Sequence, residues 1–302
     1  MSGSSLITLN SSNVSNTQTN IFNYTFPSGS VNFKKSRIAV QSIIIPYSWL
    51  NVNGTVYNNA AIQLIFPVRI SASNTTATIN ITIPNGFYTV TQLNQYLQSQ
   101  MISSGYYLVN ASSQNVYYLE IVANTQLNNA QLNCYVVPTS LPATYSYGAT
   151  GTWGAAGIGS FNTTANLVPQ LVTLNNNFGS LIGFAASTTF PSSNSSSTTV
   201  SSTSSIVPQI TPVQSIYVGC SLVRNIYSNP TNIVANVALT SAYSTNILYT
   251  PQEFVFLPII EGNFPSFQVI FYDNNFGNLP IIDTNLTINL LIESAPVDPP
   301  KN

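Results

Sequence analysis

Charge is what this 302-residue sequence has least of. Asp, Glu, Lys and Arg make up only 4% of its residues, and it contains no histidine. The absence of histidine removes the most common general base and metal ligand, together with the Ser-His and Cys-His nucleophile pairs. A net charge of −1 provides no overall field that would attract a polyanion, so no specific nucleic-acid partner is expected.

Long apolar runs and clustered cysteines are also missing. No apolar run approaches the roughly 18 residues that a membrane helix needs, and the start MSGSSLITLNSS lacks the basic and apolar regions of a secretory signal. No membrane span or secretion is therefore expected. Cys134 and Cys220 lie far apart without metal-ligand neighbours, which predicts two buried free thiols and no metal or other cofactor.

Hydrophobic residues are nevertheless 44% of the chain, which excludes wholesale disorder. Ser, Thr, Asn and Gln must supply the polar surface. Because such a surface has little like-charge repulsion to keep copies apart, the composition favours assembly with neighbouring subunits.

Strand patterns dominate the sequence. In ATINITIP, residues 77–84, apolar and polar side chains alternate strictly, as in a half-buried antiparallel strand. LTINLLI begins in the same way and then becomes apolar on both faces, as expected of an inner strand, and Glu253 to Leu257 is a further predicted strand. The fold expected is all-β, a β-sandwich or an antiparallel jelly-roll sandwich, with one short helix and long loops or a small inserted β region.

The single predicted helix follows the turn at residues 84–86. Val90, Leu93, Leu97 and Met101 recur at helical spacing and should pack against a sheet. Thr89 with Gln92 forms a capping-box pattern at the start, and Gly105 can close the end, so the helix is expected between these two caps.

The predicted organisation is one jelly-roll domain over residues 1–302. Flexible loops are expected at 138–166, which includes a Gly- and Ala-rich stretch, and at 187–213, which includes a serine tract; these could form an outward insertion. The termini, residues 1–19 and 294–302, are expected to be extended arms ordered by adjacent subunits, because the first is polar and the second is rich in proline.

Two groups of side chains are candidate contact sites. The loop aromatics Tyr145, Tyr147 and Trp153 are expected to be exposed. The glycines around them do not form a phosphate-binding loop, because the preceding strand, the following helix and the lysine of such a loop are missing. The cations Lys34, Lys35 and Arg37 could touch a polyanion or an acidic partner, or could simply be a solvated strand start.

No catalytic residue is predicted. Carboxylates are the only acid-base groups present in number, and a hydrolase would need two of them at a defined separation, such as Glu253 and Asp273. The sequences around Asp273 and Asp283 are typical of turns in which Asp binds its own backbone. The sequence therefore does not predict an enzyme.

Several segments, taken in order, resemble the penton (minor capsid) proteins of virophages and Polinton-like viruses, most of all the mavirus type. They span most of the chain: SRIAVQSIIIPYSWLNVN (36–53), ITIPNGFYTVTQLNQYLQSQM (81–101), NFGSLIGF (177–184), SIYVGCSLVRNIYSNPTN (215–232) and LPIIEGNFPSFQVIFYDNNFGNLPIIDTNLTINLLIE (257–293). The Gly/Ala stretch and the serine tract have no counterpart in that pattern.

The resemblance implies a virion protein: a jelly roll whose homopentamer closes the fivefold vertices of an icosahedral capsid. Its neighbours would be copies of a double-jelly-roll major capsid protein, and assembly would take place inside the host cell. Members of the family can carry an outward insertion. The alternative function is a receptor-binding or adhesive β domain, similar to a fibre head, in which Tyr145, Tyr147 and Trp153 would contact glycan or protein.

Overall fold

The computed structural model describes residues 4–70, 73–149, 153 and 164–294. Contacts between backbone positions divide the chain into two compact units: unit 1 comprises Met1–Trp49 and Val213–Asn302, and unit 2 comprises Leu50–Pro212. The organisation expected from the sequence, one domain over residues 1–302, stays a prediction, and the middle of the chain forms a compact unit of its own. The boundary is invisible in the sequence because the strands on both sides of it have the same alternating pattern.

The chain is built almost entirely from strands. The first four are β1 (Ser4–Leu9), β2 (Ile21–Thr25), β3 (Val31–Phe33) and β4 (Ser36–Pro46). Unit 2 contains β5 (Ala61–Ile70), β6 (Ser73–Thr82), α1 (Val90–Ser104), β7 (Leu108–Val109), β8 (Asn115–Val116), β9 (Leu119–Asn124), β10 (Asn129–Cys134), β11 (Ser146–Tyr147), β12 (Gln170–Thr173), α2 (Phe178–Ile182), β13 (Thr188–Phe190) and β14 (Val200–Thr203). Unit 1 resumes with β15 (Ser215–Cys220), β16 (Ile233–Ala238), β17 (Asn246–Tyr249), β18 (Leu257–Pro258), β19 (Gly262–Phe264), β20 (Ser266–Tyr272) and β21 (Thr287–Ser294).

The strand order of unit 1 is that of a jelly roll. One sheet has the order β1-β21-β4-β17 and the other β16-β15-β20-β2, with every pairing antiparallel. If these eight strands are lettered B to I in chain order, the sheets are B-I-D-G and C-H-E-F, the two interleaved Greek keys of a jelly roll. The predicted fold class is confirmed, and unit 2 is inserted between strands D and E.

Both sheets of unit 1 bury one face. On β21, Ile288, Leu290 and Ile292 are buried, and on β20 the alternate residues Phe267, Val269 and Phe271 are buried. Such period-two burial is what places the inner faces of two sheets around a shared core. β21 also lies between β1 and β4, so the prediction that LTINLLI is an inner strand is confirmed.

The N-terminal segment differs from the extended arm expected at residues 1–19. Ser4–Leu9 is an edge strand of the jelly roll, with Leu6 opposite Leu291 in the antiparallel ladder. Ile7 and Leu9 are buried, and this burial compensates for the cost of ordering a segment that is otherwise polar. Residues 295–302 lie outside the described residues, so the C-terminal arm stays a prediction.

Strand G is interrupted. β17 pairs with residues 43–46 of β4 and β18 pairs with Arg37 and Ile38, whereas residues 250–256 between them form no strand. The predicted strand from Glu253 to Leu257 is therefore wrong except at Leu257. Alternating residues there signalled a strand, but Pro251 lacks the N–H that a continuous ladder against β4 needs.

Unit 2 packs α1 and three small sheets around its own core. The helix has the predicted capping box between Thr89 and Gln92 and ends at Gly105, which has a φ of 76°. Its buried side chains are the four predicted ones, Val90, Leu93, Leu97 and Met101. The strand predicted in residues 77–84 is the second half of β6, which pairs with β5 and exposes Thr78, Asn80 and Thr82.

The two ranges expected as loops contain short strands. Residues 187–213 include β13, which pairs with β12, and β14, which pairs with β10. Residues 138–166 include β11, which pairs with β7. Most of the Gly/Ala-rich stretch lies outside the described residues.

Candidate assembly surfaces

Trp153 lies in the core of unit 2, which contradicts the expectation of an exposed loop aromatic. Its side chain is 0% exposed, and its ring centroid lies 5.6 Å from that of Tyr118, 5.8 Å from Tyr106 and 5.9 Å from Phe66. The small residues around Trp153 suggested an exposed position, but burying the large apolar surface of an indole is favourable. Trp153 is therefore not available to a receptor.

The two tyrosines of the same stretch are only partly accessible. Tyr145 is half-buried against the core of unit 2, whereas Tyr147 is exposed and belongs to β11, opposite Leu108. Burial, followed by the nearby Tyr145 hydroxyl, raises the pKa of Tyr118 to about 12. The three aromatics do not form the exposed contact patch that the alternative function requires.

The predicted cations lie at one end of unit 1, where β4 begins. Lys34, Lys35 and Arg37 are all exposed. The Arg37 guanidinium donates to Glu293 Oε2 at 2.8 Å through Nη2 and at 3.2 Å through Nε, and it lies 4.9 Å from the centroid of the Phe256 ring. The backbone N–H of Lys35 donates to Glu261 Oε1 at 3.1 Å. A surface ion pair of this kind contributes about 0–1 kcal/mol, so stability alone does not account for this grouping.

The carboxylates proposed for turns have the expected geometry. Asp273 Oδ1 accepts the backbone N–H groups of Asn275 and Gly277, both at 2.8 Å, and Asp283 Oδ1 accepts that of Asn285 at 2.9 Å. The turn interpretation of both residues is confirmed. Glu253 is exposed in the segment between β17 and β18.

Glu120 is the one carboxylate that polar side chains surround. It accepts hydrogen bonds from the Tyr135 hydroxyl and, at 3.1 Å, from Asn133 Nδ2. Asn133 Oδ1 in turn accepts from Gln131 and Ser201. The hydrogen bond to Glu120, followed by burial, raises the pKa of Tyr135 to about 12. This network has no second acid, and among the described residues no three His, Cys, Asp or Glu side chains are grouped as metal ligands.

An apolar strip that the sequence analysis missed lies along one side of unit 1. We define the side strip as Leu248, Phe254 and Val255, which are 68%, 46% and 66% exposed. Val255 also lines a groove of about 270 Å³. The other apolar residues of the groove come from β4, from β16 and from strand G with its interruption: Val40, Ile233, Val234, Ala235, Tyr249, Pro251 and Leu257. The alternating pattern predicted that Phe254 and Val255 belong to a strand, and Pro251 is the sequence signal that could have indicated the break in strand G.

The two cysteines are buried free thiols, as predicted. Burial raises the pKa of each to about 12, slightly opposed in Cys220 by a backbone hydrogen bond from Leu222. A thiol with so high a pKa carries almost no nucleophilic thiolate at neutral pH. Within the described residues no helix is long and apolar enough to cross a membrane.

Comparison with known proteins finds likenesses among solved structures only. No family model matches the sequence, and no curated protein matches it either. Among solved structures, the crystal structure of selenomethionine-labelled mavirus penton protein matches with a TM-score of 0.43 and 12% identity, covering 98% of this chain and 100% of that chain. That structure belongs to the family that the sequence motifs resemble. The jelly-roll assignment itself is carried by the strand order of unit 1.

Proposed function

We propose that this chain is a structural virion protein, a capsomer whose five copies close the fivefold vertices of an icosahedral capsid. It would contact a double-jelly-roll major capsid protein there and would perform no catalysis. The observation that carries the proposal is the B-I-D-G and C-H-E-F strand order of unit 1. Because a jelly roll serves many functions, the strand order alone does not select one. The penton-like motifs, which follow in order from residue 36 to residue 293, favour the capsid function.

The position of unit 2 is consistent with this function. The chain leaves the jelly roll after strand D, at Trp49, and returns before strand E, at Val213. Both residues lie at the same end of unit 1, because Tyr47 N–H binds Thr245 O before β17, and Leu239 N–H binds Gln214 O. We infer that this single long insertion, whose two chain connections meet the same end of the jelly roll, is the insertion that the family resemblance implies.

A closed ring needs two different surfaces on each copy, because every copy must present one surface to each neighbour. The edge strands β17 and β1 lie on opposite sides of the same sheet. The side strip adjoins β17, and exposed Leu6 lies on β1. The residues of the side strip and of Ser4–Leu9 carry no charge that contact would desolvate, although Glu253 directly precedes Phe254. We assign the subunit contact to the side strip of one copy and the β1 edge of the next.

A matched pair of leucines tests this assignment. Leu248 in the side strip and Leu127 in unit 2 are 68% and 67% exposed, so Leu248→Ser and Leu127→Ser should have equally small effects on folding. Sedimentation of the full chain should show a pentamer for the parent and for Leu127→Ser, and dissociation at higher concentration for Leu248→Ser. Identical sedimentation of both variants would refute the assigned contact, and a parent that stays monomeric at all concentrations would refute the proposed function.

A further inference from the structure

The charges of unit 1 are separated between its two ends, although the net charge of the chain is −1. We define the basic end as Lys34, Lys35, Arg37 and Arg224, which lie where β4 begins and β15 has ended. Arg224 follows Val223, which bridges to Ile259, and the N–H of Ile259 donates to Ser36 O at 2.9 Å. This chain of contacts brings Arg224 to the same end as the three cations that adjoin Ser36.

The opposite end has only acidic groups. Asp273 directly follows β20, and the N–H of Asp283 donates to Ser48 Oγ at 2.9 Å, beyond the end of β4. Every cation of unit 1 in the described residues therefore lies at the basic end. The net charge hides this separation because the two ends cancel.

Two cations of the basic end are not neutralised. Its two carboxylates are already engaged, since Glu293 pairs with Arg37 and Glu261 accepts the Lys35 N–H. Lys34 and Arg224 are exposed, and in the described part of the chain neither has a carboxylate within ion-pair distance. Four cations and two carboxylates leave an excess of two positive charges per copy.

An exposed aromatic residue follows Arg224 closely along the chain. Tyr227, in the loop between β15 and β16, is 93% exposed and lies three residues after Arg224. An exposed aromatic ring next to arginine is the combination on which unpaired bases stack while their phosphates contact the cation. The preceding Ile226 is also exposed, so this loop projects from the end of the unit.

We propose that the basic end binds the phosphate backbone of nucleic acid without sequence preference, with Lys34 and Arg224 contacting phosphates and Tyr227 stacking on a base. The inference rests on the proposed function, because two excess charges per copy become significant only when a ring repeats them five times. A long polyanion with regularly spaced charges can contact several copies of such a ring. Once it is bound to one copy, its binding to the next copy is nearly intramolecular. Within unit 1, the basic end is opposite to the end at which the chain leaves after Trp49 and returns at Val213.

The test measures fluorescence anisotropy of labelled single-stranded and duplex DNA of mixed sequence with the full chain, while the mass of the same sample is recorded. We expect binding at 50 mM salt that weakens by more than about tenfold at 200 mM. Lys34→Gln with Arg224→Gln should weaken binding at least about tenfold and reduce the salt dependence. Arg69→Gln, which removes the cation of unit 2, should leave binding unchanged, and Tyr227→Ala should weaken binding of the single strand more than that of the duplex.

The outcomes separate the two proposals. A pentamer that does not bind DNA at 50 mM salt, or that binds equally well without Lys34 and Arg224, overturns the inference and leaves the proposed function intact. A monomer overturns the proposed function and the repeated site that depends on it. If poly-glutamate competes charge for charge as well as DNA does, the basic end is a site for an acidic polypeptide, and the nucleic-acid assignment is overturned.

Discussion

Unit 1 and unit 2 each form a hydrophobic core, but they contain very different numbers of charged residues. Unit 2, residues 50–212, contains two charged residues, Arg69 and Glu120, whereas the rest of the chain contains the other eleven. Both units nevertheless bury extended sets of aliphatic and aromatic side chains. The comparison shows that strands with hydroxyl and amide side chains on their outer faces can form a core without charge. In the described residues of unit 1, the cations lie at the end where nucleic-acid contact is proposed.

Each unit contains one tryptophan and one cysteine, all four of them buried. Trp49 and Cys220 belong to unit 1, and Trp153 and Cys134 belong to unit 2. The two units can therefore be followed separately in the intact chain, and the predictions below use these probes.

The largest expected effect is the protection of the two thiols. Since both are buried with a pKa of about 12, Ellman's reagent should label them at least about a thousandfold more slowly in the folded chain than in denaturant, because labelling requires opening. Cys134→Ser and Cys220→Ser each leave a probe in one unit. Rapid labelling of Cys134 in the folded protein would contradict the core described for unit 2.

The same thiols predict a loss of stability at alkaline pH. The folded state holds each thiol proton to about pH 12, whereas the ordinary pKa of cysteine is 9.0. The unfolded chain therefore loses these protons first, and stability should fall as the pH rises from 9 towards 12. Denaturant titrations at several pH values should show a smaller fall in Cys134→Ser and Cys220→Ser than in the parent; an equal fall would show that the thiols do not contribute.

Truncation of a core leucine should act first on its own unit. Leu97 on α1 and Leu290 on β21 are both almost completely buried, so Leu97→Ala and Leu290→Ala should each cost about 2–5 kcal/mol. The test uses chains that retain a single tryptophan through Trp49→Phe or Trp153→Phe. Leu97→Ala should lower the unfolding midpoint that Trp153 fluorescence reports, and Leu290→Ala should lower the midpoint that Trp49 fluorescence reports. Equal shifts of both probes in both variants would mean that the two units unfold as one.

Substitution of two glycines allows the stability cost of backbone strain to be measured separately from the cost of steric crowding. Gly29 and Gly183 have φ values of 83° and 80°, but a Cβ on Gly29 would meet nothing within 4 Å, whereas one on Gly183 would lie 2.3 Å from Ile206 O. Gly29→Ala should therefore cost about 1–2 kcal/mol, and Gly183→Ala about 2–5 kcal/mol. Equal losses of unfolding free energy in the two variants would contradict the close approach of residues 183 and 206.

The capping box of α1 should give the smallest measurable effect. Thr89 Oγ1 accepts the N–H of Gln92 at 3.2 Å, and its loss in Thr89→Ala should cost about 1 kcal/mol in the unfolding of unit 2. Thr91→Ala, at an exposed position in the first turn, should change stability by less than about 0.5 kcal/mol. If Thr91→Ala costs as much as Thr89→Ala, the cap does not stabilise the helix.

The sequence predicted what local patterns determine. Spacing identified α1 and its caps, because helix faces and capping boxes are set by residues three or four apart. Alternation identified β6 and the inner position of β21, since both depend on which faces are buried. The turn roles of Asp273 and Asp283 were equally local.

Non-local pairing explains what the sequence could not show. The role of Ser4–Leu9 depends on its partner β21, which lies more than 270 positions further along the chain. The burial of Trp153 depends on Phe66, Tyr106 and Tyr118, and no sequence pattern around residue 153 indicates these contacts. Phe254 and Val255 of the side strip lie where strand G is interrupted. The basic end becomes visible only when the contacts of Val223 with Ile259 and of Ile259 with Ser36 bring Arg224 to the end where β4 begins.

The central claim is that five copies of this chain close a ring through unit 1, and electron microscopy of the purified full chain tests it most directly. Class averages should show fivefold rings, with a mass of five times 32.6 kDa for the particle in solution. Threefold particles, or separate monomers at every concentration examined, would contradict the account.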